Sequence, residues 1–74
     1  MSERHFGVSD VEYNIITTLS NLLQAEDVFG TYEEDARKNG TEEIAQIFAD
    51  MRSSNREYVR LLRQGLARQL ANQG

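Results

Sequence analysis

Arg37-Lys38-Asn39-Gly40-Thr41-Glu42-Glu43 is the stretch that decides the fold. Arg37 and Lys38 are cations suited to the negative end of a helix dipole. Asn39-Gly40 then supplies the left-handed stop. Thr41 can cap a second helix, with Glu42 and Glu43 in its first turn. So short a connection folds two flanking helices back as an antiparallel hairpin.

Outward from the turn, both flanks carry helical spacing. Upstream, Ser9-Asp10-Val11-Glu12 fits a capping box, with Val8 and Tyr13 placed for a hydrophobic staple. Apolar residues recur from Ile15 to Ala36, and the stripe Ile15, Leu19, Leu22, Glu26, Phe29, Glu33, Ala36 faces the partner helix. Downstream the same spacing gives Ile44, Phe48, Met51, Asn55, Tyr58, Leu62. The expected layout is a flexible tail over residues 1–8 and one hairpin domain over 9–74. Its first helix spans about 10–38, the turn 39–41 and the second helix about 42–71.

The chain has 74 residues and no Cys, Pro or Trp. That limits it to one small domain and excludes disulfides and thiolate zinc sites. A single core of this size seldom supplies more than about 3–5 kcal/mol unless something staples it. Ile15 with Ile16, or Leu22 with Leu23, cannot all face one partner helix. Two hairpins packed as a four-helix bundle would cover them, so a homodimer is the minimum expected unit. The fold class expected is therefore all-α, a two-helix hairpin that homodimerises into a four-helix bundle.

Charge narrows the partners. The net charge is −4 and the pI near 4.8, which disfavours nucleic acid. No apolar run is long enough to span a membrane, and no apolar signal core opens the chain, so a cytoplasmic protein is the default. Residues 1–51 carry three Lys/Arg and eleven Asp/Glu, whereas residues 52–74 carry five Arg and one acid. One hairpin is thus acidic at its turn and basic at its open end. Complementarity of this kind selects orientation, so the expected dimer is antiparallel and two-fold.

Polar residues interrupt both stripes at one height. Glu26 lies level with Ser53 and Ser54 and one turn from Asp50, and Asn55 interrupts the second stripe. One expectation is structural: Glu26 flanks the seam, or bonds Ser54, Asn55 or Tyr58 and fixes the register. The other is a metal site, because inward carboxylates of a four-helix bundle hold di-iron centres. Arg52, Arg56, Arg60 and Arg63 form a basic row, expected to be a solvated face or an interchain ion-pair row. Glu33-Glu34-Asp35 is expected to be solvated, and Gly30 to face Ala49 at a close helix approach. The one His, His5, is expected to be an ordinary tail residue.

Tyr13…Leu19-Ser20…Leu23-Gln24-Ala25-Glu26…Tyr32…Asp35-Ala36, followed by Phe48…Met51…Arg56, resembles the small ferritin-like hairpin proteins that dimerise into a ferritin-type bundle. The resemblance covers about residues 10–70. It implies iron or another divalent metal held by Glu26 and Asp50 of two chains. Asp50-x-x-Ser53 stands where the family has Glu-x-x-His, so one carboxylate is kept, the imidazole is missing, and ferroxidase activity is not expected. No catalytic or cofactor-binding residue is assigned. The leading expectation is a non-enzymatic ferritin-like assembly protein. The alternatives are the metal-binding protein just described and an adaptor presenting a helical face to another protein.

Overall fold

The computed structural model describes residues 7–72. Of the tail expected over residues 1–8, residues 1–6, His5 included, lie outside the described residues. Two helices account for nearly all of the remainder: α1, Asp10–Lys38, and α2, Glu42–Ala71. They pack side by side as an antiparallel hairpin measuring 52 × 21 × 12 Å. Its radius of gyration, 16.4 Å, exceeds the roughly 11 Å of a compact chain of this length.

Both helix ends follow from local chemistry. Ser9 is the N-cap of α1, and its Oγ accepts the Glu12 backbone N–H at 3.1 Å. The same hydroxyl donates to Glu12 Oε1 at 3.3 Å, so side chain and cap hold one another. At the other end Gly40 has φ +79°, the left-handed conformation that a Cβ disfavours. Gly40 N–H donates to the Arg37 carbonyl at 3.1 Å and Thr41 N–H to the Ala36 carbonyl at 2.9 Å. This pair of bonds is a Schellman motif, which satisfies carbonyls a helix end leaves open.

Thr41 departs from its expected role. It holds the N-cap position of α2 but makes no side-chain cap bond. Its Oγ1 donates to the Ala36 carbonyl instead, at 2.9 Å. The closing turn places that acceptor within reach, so the hydroxyl serves the helix behind it rather than the one ahead.

The α1 stripe is as the spacing predicts. Glu12, Ile15, Leu19, Leu22, Glu26, Phe29, Glu33 and Ala36 are all buried or half-buried. The α2 stripe is met in half: Phe48, Asn55 and Leu62 lie inside as expected, and the other three positions do not. Ala45, Phe48, Arg52, Asn55, Val59 and Leu62 line the seam, followed by Leu66 and Gln69. Ile44, Met51 and Tyr58, expected inside, are exposed. Both sets obey the same three-and-four spacing, and the inner one is the less apolar. The inner set brings Arg52 between Glu26 and Glu33.

Aromatic packing closes the turn half. The Phe48 ring lies 6.3 Å from Phe29 and meets Tyr32 edge-on at 5.5 Å. Elsewhere the interior is thin. Ala36 and Ala45 are the buried apolar residues, and no large side chain among those described is fully buried.

Candidate functional site

The polar layer is a four-residue ion-pair network across the seam. Arg52 Nη2 lies 3.2 Å from Glu26 Oε2 and its Nη1 3.0 Å from Glu33 Oε1. Arg56 donates to the same Glu26 oxygen from Nη2 at 2.6 Å and from Nε at 2.9 Å. Arg37 extends the network toward the turn, 2.8 Å from Glu33 and 2.6 Å from Glu42. Glu26 and Glu33 are seven residues apart, two helical turns, so both project from one stripe of α1 toward α2. Gly30 lies between them. A Cβ there would meet the Arg52 guanidinium carbon at 3.6 Å, so the guanidinium, rather than Ala49, covers this glycine.

Pairing shifts the carboxylates. The hydrogen bond from Arg56 pulls the Glu26 pKa below its ordinary value; desolvation opposes this, and Arg52 adds to it. Glu33 is lowered likewise, by Arg37 first and then by Arg52. Each is an acceptor held ionised by guanidiniums, the stronger class of hydrogen bond.

Several expectations are corrected here. Arg52 leaves the expected solvated row: it is half-buried and bonds Glu26 and Glu33 of its own chain, whereas Arg56, Arg60 and Arg63 are exposed as expected, Arg56 also bonding Glu26. Arg60 pairs with Glu57 one turn away on its own helix. Glu33, expected in solvent, is half-buried and doubly paired. Glu26 bonds arginines rather than Ser54, Asn55 or Tyr58, and Asn55 donates to the Leu22 carbonyl at 2.7 Å. Arg52 is the residue that sequence reasoning missed. The signal was available: two carboxylates on the inner stripe of one helix demand a cation at matching height on the other.

Within one chain, Glu26 and Asp50 are not brought together. The Glu26 network borders a groove with Asp27, Gly30, Thr31 and Arg52 on one flank of the hairpin. Asp50 borders a groove on the opposite flank, with Phe29, Ile47, Met51, Ser54 and Tyr58, and accepts from the Gln46 amide at 2.9 Å. No group of three or more His, Cys, Asp or Glu is placed to hold a metal ion among the described residues. Both guanidiniums that bond Glu26 do so at Oε2.

That second flank is the other candidate site. Ile44, Ile47, Met51, Tyr58 and Leu61 stand in a line along α2, between 42% and 60% exposed. Tyr32 of α1, 49% exposed, borders the same face near the turn. Ser54 interrupts the line at its middle. The hairpin therefore has one flank that carries the ion-pair network and one apolar flank left open. Among the described residues no helix is long and apolar enough to cross a membrane. Compared with known proteins, the chain matches no family model, no curated protein and no solved structure.

Proposed function

We propose that this chain is a non-enzymatic assembly protein whose hairpins pair into a four-helix bundle, with the ferritin-like architecture that its α1 pattern resembles. One observation carries the reading: α2 has a second apolar stripe, regularly spaced and exposed, while the hairpin interior holds no fully buried large side chain. Large contiguous apolar surface on a small domain marks an interaction site.

Concentration-dependent melting tests this. A dimer that unfolds to monomers melts higher as protein concentration rises. A melting point that stays fixed from micromolar to millimolar protein would instead favour an adaptor acting as a folded monomer.

Iron or another divalent ion at Glu26 and Asp50 of two chains is the second reading. One observation favours it: Glu26 Oε1 is buried and has no hydrogen-bond partner. The cationic surroundings of the other oxygen weigh against it, because guanidiniums repel a metal ion. Stoichiometric iron in protein purified without chelator, lost in Glu26→Ala, would reverse the preference.

A further inference from the structure

We propose that the occupant of the open flank is a second copy of this chain, laid antiparallel along α2 with the two-fold axis passing at Ser54. This rests on the assembly reading above and specifies its seam. A two-fold interface must be complementary to itself when one copy is reversed. Reversal about Ser54 satisfies that condition for every large residue of the stripe. Ile47 and Leu61 lie at equal distances on either side of Ser54, so each faces the other across the axis. Met51 and Tyr58 fall on adjacent levels, and so do Ile44 and Gly65, bulk beside a gap. A reversal centred on Met51 would leave Leu61 uncovered, and one centred on Tyr58 would set Ile47 near Arg68. Parallel packing would stack Gly65 on Gly65 and Arg68 on Arg68.

Shape agrees with the register. Ser54 lines a groove walled by Ile47, Met51 and Tyr58. A small residue at the axis lets two helices approach closely, and the flanking Tyr58 of each copy then enters the groove of the other.

Charge supplies the independent argument. Arg68 continues the α2 stripe beyond Gly65 and makes no ion pair among the described residues. Reversal about Ser54 carries it to the turn of the other copy, where the exposed Asp35 and Glu43 also lack an ion pair among the described residues. Arg37 is already committed there to Glu33 and Glu42, and Lys38 points away from the stripe by its helical position. One like-charge approach opposes docking: Asp50 of each copy comes near Glu57 of the other, itself paired with Arg60. Removing that charge with Asp50→Asn tightens the dimer, lowering its dissociation constant several-fold, whereas Arg68→Glu raises it.

The chain has no Cys, so single thiols report the seam cleanly. Sedimentation first establishes whether each variant is dimeric, and oxidation then reads the contacts. Ser54→Cys is expected to cross-link almost completely, because facing residues at the axis of close-packed helices come within disulfide reach. Asn39→Cys is expected not to cross-link within the dimer. Ile47→Cys is expected to cross-link only when mixed with Leu61→Cys. A dimer in which Ser54→Cys stays reduced, or in which Asn39→Cys cross-links, overturns this seam and leaves assembly standing. Monomers at every concentration overturn both.

Discussion

Asn55 Nδ2 donates to the Leu22 backbone carbonyl at 2.7 Å, joining the middle of α2 directly to the main chain of α1. A helix carbonyl has two lone pairs, so Leu22 can accept this bond beside its intrahelical one. Asn55 is only 6% exposed, and a buried amide at a seam position fixes register. Its loss is felt twice, as a missing bond and as a small cavity. Asn55→Ala should lower the unfolding free energy by about 1–2 kcal/mol. Asn55→Leu should hold or raise stability while broadening the resonances of seam residues, because an apolar layer permits sliding. Denaturant titration with NMR separates the two effects, and an unchanged midpoint in Asn55→Ala would deny the bond its role.

Acid should loosen the hairpin. Glu26 and Glu33 have folded pKa values below the ordinary 4.5. Their stabilising contribution is complete above that value and is lost as pH falls through the lowered folded values. Stability measured downward from pH 6 should therefore decline once pH passes below the ordinary carboxylate range. Glu26→Gln should start less stable at neutral pH and show a shallower acid decline. A variant with the same pH profile as the natural chain would show that the network makes no net contribution.

Two glycines should respond oppositely to the same change. Gly65 lies inside α2, and a Cβ there would come no nearer than 3.9 Å to the Arg68 guanidinium. In the Met51→Glu background, where the proposed seam is weakened, Gly65→Ala should raise hairpin stability by about 1 kcal/mol, the helix-propensity difference. Gly40 has open space around it but φ +79°. Gly40→Ala should lower stability by roughly 1–2 kcal/mol through backbone strain. Thermal melts at one fixed protein concentration check both signs.

The helix ends and the hairpin turn were readable from sequence because Ser9, Gly40 and the residues around them act locally. The α1 stripe was readable because only one three-and-four series there is strongly apolar. On α2 two such series compete, and the more apolar one, through Ile44, Met51 and Tyr58, faces outward. Apolar periodicity alone finds Phe48, Asn55 and Leu62 but places the other three seam positions one residue early, at Ile44, Met51 and Tyr58 instead of Ala45, Arg52 and Val59. The inner series carries a contact between distant residues, Arg52 with Glu26 and Glu33, which no local pattern contains. The same error hid the open face, since residues assigned to the interior could not be counted as surface. Glu26 was placed at the right height, but its guanidinium partners were assigned to the outside of the helix.

Sedimentation equilibrium of the natural chain beside Met51→Glu reads whether the exposed α2 stripe is a dimer seam. Met51 is 42% exposed and lies outside the hairpin seam. The substitution should leave each hairpin helical and place a charge in the proposed interface. The natural chain should sediment at twice its 8.5 kDa mass. Met51→Glu should need roughly tenfold or more protein to reach the same dimer fraction, as expected for an unpaired charge in an apolar contact. Monomer mass for the natural chain at all concentrations, or equal dimerisation by Met51→Glu, would contradict the account.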